Sequence, residues 1–348
     1  MTEGPPSLAA IAAARKSLEP YLRPTPVWEW RDDSVSALVG PTTRVTLKLE
    51  LFQRSGTFKA RGALMNGLAL SPDQHRRGVT AVSAGNHAAA VAFAARTLGT
   101  SAKVVMPKTA NPARVGLCRR LGAEVVLAED VHDAFARVEA IERNEGRTLI
   151  HPFEGVLTAT GTATLGHELM DQLDQMDAVV VPIGGGGLIG GIASAVKQVR
   201  PGCKVYGVEP TLNDTIKRSV ASGKPERAGP ARTIADSLSP PFALPYSLGL
   251  VQRFVDDIVL VSDEEMMEGM YLLFDRMKLA VEPAGAATTA ALLGPLRERL
   301  SGQRVALIVC GTNIDPERYT EWLRQGAARW QARGVDQNPE PAPANPRP

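Results

Sequence analysis

A single lysine in Ser55-Gly-Thr-Phe-Lys59 and the run Gly184-Gly-Gly-Gly-Leu188 make a chemically complementary pair. A lysine amine can form a Schiff base with an aldehyde, and successive side-chain-free N–H groups at a helix start can hold a phosphate. Pyridoxal phosphate carries both handles. The glycines follow the apolar stretch Asp177 to Ile183 and precede Leu188 to Val196, which is apolar and rich in small residues, so they read as strand, phosphate loop and helix. They lack a Gly-Lys-Ser/Thr ending and are contiguous rather than spaced, which favours a single phosphate over a nucleoside triphosphate or a dinucleotide.

Such a cofactor also needs a partner for its pyridine nitrogen and donors for a substrate carboxylate. Ser83-Ala-Gly-Asn-His87 follows a strand pattern ending at Val82 and opens a helical one, so its hydroxyl and N–H groups suit an α-carboxylate; a plain helix cap explains the same residues. Cys310-Gly-Thr-Asn313 follows the apolar Val305 to Val309. Its thiol is either a weak partner for the ring nitrogen or a structural core cysteine.

The elements that must position these residues alternate along the chain. Strand patterns cover 43–49, 78–82, 102–106, 123–127, 178–183, 203–208 and 304–309. Helical patterns cover 7–17, 58–68, 87–98, 110–121, 131–144, 158–173, 189–200, 263–278 and 283–292. The alternation without an eightfold repeat predicts open α/β sheets rather than a barrel. Residues 80–152 read as a small substrate-carboxylate domain inserted between two parts, 1–79 and 153–325, of a large cofactor-binding domain, with the ligand in the cleft between them. The Pro-rich stretch 333–348 reads as a disordered tail.

Composition narrows the function classes. The 348 residues are 44% hydrophobic and 22% charged, as in an ordinary globular enzyme. Lys plus Arg number 39 against 37 Asp plus Glu, and a net charge of +2 provides no field for nucleic acid or an anionic membrane. Cys118, Cys203 and Cys310 are too few and too scattered for a disulfide framework, which predicts a reducing, cytoplasmic setting. No signal-peptide pattern opens the sequence. The uncharged stretch 178–196 contains Pro182 and six glycines, so it reads as strand, loop and buried helix rather than a membrane span.

The chain resembles the threonine/serine dehydratase and serine racemase family of fold type II pyridoxal phosphate enzymes over about residues 5–325. The residues that carry the resemblance are Glu50-Leu-Phe-Gln-Arg-Ser-Gly-Thr-Phe-Lys59, Ser83-Ala-Gly-Asn-His87, Gly184-Gly-Gly-Gly-Leu188, Thr233-Ile-Ala-Asp236, Glu282-Pro-Ala-Gly-Ala286 and Cys310-Gly-Thr-Asn313. It implies a tryptophan synthase β-like fold of two open twisted sheets with the cofactor in the interdomain cleft, and a homodimer. It makes Lys59 the catalytic, cofactor-bearing lysine. It also places Phe58 and Cys310 about the ring, Asn86 at the phenolic oxygen, Gly184, Gly185, Gly186, Gly187 and Leu188 at the phosphate, and Ser237 and Glu282 near the ring. Ser83, Ala84, Gly85, Asn86 and His87 are implied to surround the substrate carboxylate.

Departures from the family pattern shape the expected activity. Ala84 stands where racemases carry a second serine as acid/base, which weakens two-base racemisation and leaves a one-base dehydration intact. Ser237 replaces a usual glycine and Ala89 a frequent glutamine, changes compatible with a bulkier β-substituent. Glu209 matches a glutamate of the family's divalent-cation site, but Asn213 and Thr215 follow where a backbone carbonyl and an aspartate are expected, leaving only a weak metal candidate. The expected reaction is dehydration of a β-hydroxy L-amino acid to a 2-oxo acid and ammonia, with threonine, serine, phenylserine or 3-hydroxyaspartate as substrate. The alternatives are a serine racemase and a noncatalytic cofactor-binding sensor. A catabolic role is expected, because no separate regulatory domain follows the catalytic region.

Overall fold

The computed structural model describes residues 4–229 and 233–335. Ten strands form two sheets: β1 Val27–Trp30, β2 Arg44–Lys48, β3 Val79–Val82, β4 Ala102–Pro107, β5 Glu124–Ala128, β6 Thr148–Leu149, β7 Ala178–Pro182, β8 Lys204–Pro210, β9 Asp257–Val261 and β10 Arg304–Ile308. The larger sheet has the order β1-β2-β10-β7-β8-β9 and is parallel except for β1, which runs antiparallel to β2. The smaller sheet, β5-β4-β3-β6, is parallel throughout. Parallel strands are covered by helices on both faces, which is why β7 and β3 are buried along their whole length and why β7 reads as an unbroken apolar run.

The glycine-containing helix Val156–Gln172 packs closely against two others, Lys59–Leu68 and Gly187–Val199. A Cβ at Gly161 would come within 2.8 Å of the Arg61 carbonyl oxygen, and one at Gly166 within 2.8 Å of that of Ile192. Small residues therefore set the spacing of the helices that carry the lysine and the glycine loop.

A buried ionic network locks the lysine helix in place. Arg61, two residues beyond Lys59, donates from Nε and Nη2 to Glu50 at 2.9 and 2.7 Å, and from Nη2 to Glu168 at 2.9 Å. Lys48 pairs with Glu168 and also donates to the Thr25 carbonyl at 2.7 Å and to Gln172 at 2.6 Å. Two cations thus face two carboxylates with essentially no solvent contact. Burial works against the Glu50 carboxylate, but the Arg61 guanidinium and Lys48 hold its pKa below the usual value of 4.5. The stability it contributes is present above pH 4.5 and is lost as pH falls through the depressed native value.

Several elements went unread in the sequence: the edge strand β1, the short β6, β9, and the helix Pro316–Ala332. That helix buries only Gly326 and Trp330, so its apolar signal is thin. Arg329 and Arg333 tie its end to the buried Glu268. Arg333, at the head of the expected tail, is therefore an anchored residue, and 336–348 of that tail lie outside the described residues. Among the described residues no helix is long and apolar enough to cross a membrane.

Removing one member of a buried charge set strands its partners. Arg61→Met is expected to destabilise the fold by about 3–5 kcal/mol, measured as a lowered urea midpoint. A surface-pair variant such as Arg76→Ala changes stability by less than about 1 kcal/mol.

Candidate active site

The loops after β3, β7 and β10 leave the carboxyl ends of parallel strands and converge on one cavity of about 210 Å³. It gathers every site residue read from the motifs other than Glu209: Phe58, Lys59, Ser83 through His87, Gly184 through Leu188, Ser237, Glu282 and Cys310.

Lys59 opens the helix Lys59–Leu68, and its amine donates to the Pro152 carbonyl at 2.5 Å. The Phe58 ring lies 5.1 Å from the same nitrogen. Burial lowers the amine to a pKa of about 8, with Cys310 and Glu282 opposing. Near neutral pH the unprotonated, nucleophilic form is therefore a minority, but a far larger one than in an ordinary lysine.

Two helices open on the cavity without side-chain caps. Gly187–Val199 starts inside the glycine run, two residues earlier than its apolar pattern suggested, with Gly186 at φ +90°. Asn86–Leu98 starts after Gly85. Their first-turn N–H groups are ready-made anion donors. The glycines are also sterically required: a Cβ at Gly185 would overlap the Phe153 ring, and one at Gly184 would lie 2.9 Å from the Ser237 carbonyl oxygen. The loop is a cradle pressed between Phe153 and Ser237. Its fit is to a small phosphate group rather than to a long polyphosphate.

Around the lysine Asn86, Glu282, Asn313 and Arg114 are hydrogen-bonded to one another. Asn86 donates to Glu282 at 2.6 Å and accepts from Asn313 at 2.8 Å. Arg114 was absent from the motif reading, yet it reaches Glu282 at 3.1 Å, Asp236 at 2.5 Å and the Asn313 carbonyl at 3.0 Å. Burial raises Glu282 to a pKa of about 7 although Arg114 pulls it down. Burial keeps the Cys310 thiol neutral, well above its usual range. His87 donates from Nε2 to the Ile150 carbonyl at 2.7 Å, and is held uncharged with a pKa of about 3 by burial and then by Lys59. The Ser83 hydroxyl accepts from the Gly85 N–H at 3.1 Å, while Ala84 is exposed to the cavity with no proton to give.

His151 and Phe153 were also missed. Their rings meet edge-on at 4.6 Å beside the lysine and the glycine loop, and no phosphate or lysine motif marks them. Glu209 stands apart from the cavity. Its two oxygens accept from the Ile216 and Lys217 N–H groups, each at 2.8 Å, so it caps the helix Thr215–Ser222. Burial pushes its pKa up to about 8. Among the described residues no group of three or more His, Cys, Asp or Glu side chains is placed to hold a metal ion.

A neutralisable lysine, a glycine cradle on a helix N-terminus and a neutral thiol on a third strand end are the donor set that pyridoxal phosphate requires. Comparison with known proteins agrees. The family model for pyridoxal-phosphate dependent enzymes matches residues 18–311. The chain is 53% identical to phenylserine dehydratase of Ralstonia pickettii over 321 residues, 92% of this chain and 97% of that one. It is 39% identical to the T.th. threonine deaminase, with a TM-score of 0.83 over 89% of this chain and 99% of the other. It is 32% identical to maize serine racemase, with a TM-score of 0.85 over 93% and 99% of the two chains. The chain belongs to the pyridoxal-phosphate dependent enzyme family, in its threonine/serine dehydratase and serine racemase branch.

Two variants separate these features. Gly185→Ala, forced against Phe153, is expected to weaken cofactor retention by at least about tenfold, measured by equilibrium dialysis. Lys59→Met removes a buried ammonium whose pKa of about 8 lies below the ordinary 10.5. The apoprotein variant therefore melts higher than wild type at pH 7, and the difference shrinks as pH rises from about 8 to 10.5.

Proposed function

We propose that this chain dehydrates a β-hydroxy L-amino acid to a 2-oxo acid and ammonia, with an aryl β-substituent, as in phenylserine, preferred. The carrying observation is the Lys59 amine, lowered to about 8 and facing a cavity on which two uncapped helix N-termini open. The 53% identity to a phenylserine dehydratase over nearly the whole of both chains supports the aryl preference.

Pyridoxal phosphate, bound covalently at Lys59 with its phosphate held by Gly184 to Leu188, supplies the electron sink that makes the substrate Cα–H acidic. In this assignment the N–H groups at the start of Asn86–Leu98, with Ser83, orient the α-carboxylate. Lys59, freed by the incoming substrate amine, would take the α-proton. The β-hydroxyl would leave as water with one proton, which the Lys59 ammonium can supply, and the product released would be an enamine. Tautomerisation of the enamine and hydrolysis of the resulting imine consume one water and release ammonia, so the net change is β-hydroxy amino acid to 2-oxo acid plus ammonia. The neutral Cys310 offers the pyridine nitrogen no strong acid, which suits elimination.

Ala84 presents no hydroxyl on the cavity side, which disfavours a second proton donor and hence racemisation. We further read residues 80–152 as the substrate-carboxylate domain, since the smaller sheet is built within residues 79–149. A homodimer and a cytoplasmic setting complete the proposal. The three buried free cysteines accord with the latter.

The test is 2-oxo-acid release by purified holoenzyme from threo-phenylserine, L-threonine and L-serine, with chiral analysis of the remaining substrate. Phenylserine is expected to give the highest kcat/KM, and Lys59→Ala to lose at least about a hundredfold in rate. Dominant inversion without oxo acid would replace the dehydratase with a racemase.

A further inference from the structure

Four phenylalanines line the cavity: Phe58, Phe135, Phe153 and Phe242. Two are already committed. The Phe58 ring faces the lysine amine, and the Phe153 ring underlies Gly185. Phe135 and Phe242 instead meet each other, with ring centroids 5.8 Å apart and planes inclined by 43°.

The pair is built from distant parts of the chain. Phe135 lies on the helix Val131–Glu145 and packs in the same apolar cluster as Val82, the residue before Ser83. Phe242 ends a segment that begins at Ser237, whose carbonyl oxygen abuts Gly184. One ring is therefore tied to the loop assigned to the substrate carboxylate and the other to the glycine loop. Both rings remain only partly buried, and both face the cavity together with Pro240 and Pro241. Rings at this separation and tilt have faces and edges that a third ring can engage.

We infer that Phe135 and Phe242 form the receiving site for the aryl β-substituent of the substrate, so that the substrate's ring joins elements of the two sheets. The inference rests on the dehydratase reading above and adds the residues that select the side chain. Threonine's methyl group offers far less apolar surface for the pair to bury than a phenyl ring. A carboxylate, as in 3-hydroxyaspartate, would be desolvated against two hydrocarbon rings, and the cation nearby in the cavity, Arg114, is already paired with Asp236 and Glu282.

The experiment compares Phe135→Ala, Phe242→Ala and the corresponding Leu variants as holoenzymes. The phenylserine-to-threonine ratio of kcat/KM is expected to fall at least about tenfold in each Ala variant, with the Leu variants intermediate. Titration with L-phenylalanine, which has no leaving hydroxyl, is followed through the cofactor absorbance and is expected to weaken in parallel. An unchanged ratio together with unchanged L-phenylalanine affinity would overturn the subsite. If wild type eliminates only from threonine, the aryl reading of the function falls, and the L-phenylalanine titration still decides whether the pair binds an aryl group.

Discussion

The catalytic geometry hangs on a buried charge network that contains no catalytic residue. Arg61 is held by Glu50 from the turn after β2 and by Glu168 from the helix Val156–Gln172, and Lys48 closes the set from the end of β2. Four ionised groups are costly to bury, and each is tolerated only while its partners stay within hydrogen-bond reach. That requirement makes the first turn of Lys59–Leu68 a fixed rather than a fraying helix start. The Lys59 amine can then be held unsolvated beside the Pro152 carbonyl, where burial makes it nucleophilic.

Against that fixed lysine the fold sets two helix N-termini left without side-chain caps. Each is an incomplete structure by itself, with donors that the helix cannot use. Parallel strands that end at the same side bring both to one cavity, and in the assignment proposed above they receive a phosphate at Gly184 to Leu188 and a carboxylate at Ser83 to His87. Between them burial keeps His87 and Cys310 uncharged, while Glu282, raised to about 7, is divided between its two forms near neutral pH and pairs with Arg114. In the one-base elimination proposed above the α-proton goes to Lys59, and Ala84 leaves no hydroxyl for a second route.

Much of this was legible in the sequence because it rests on local signals. The glycine run, the lysine motif and Ser83 to His87 each sit at a strand-to-helix junction, and all of them line the one cavity. What escaped was tertiary. Arg114 lies on a helix of weak amphipathicity, and its meaning comes from Asp236 and Glu282, more than a hundred residues away. Phe135 and Phe242 belong to no sequence motif, and the role proposed for them comes only from their meeting at 5.8 Å. Glu209, a weak metal candidate in the sequence, has both carboxylate oxygens bonded to the N–H groups of Ile216 and Lys217, a capping role that no local pattern announced.

The central claim is that Lys59, and no other amine, carries the cofactor on which the activity depends. Borohydride reduction of the holoenzyme fixes a cofactor–lysine bond, and peptide mass spectrometry then locates it. The account predicts the pyridoxyl mass increment on the peptide containing Lys59, at a stoichiometry approaching one per chain. An unmodified Lys59 peptide, or the increment on another lysine, would contradict it.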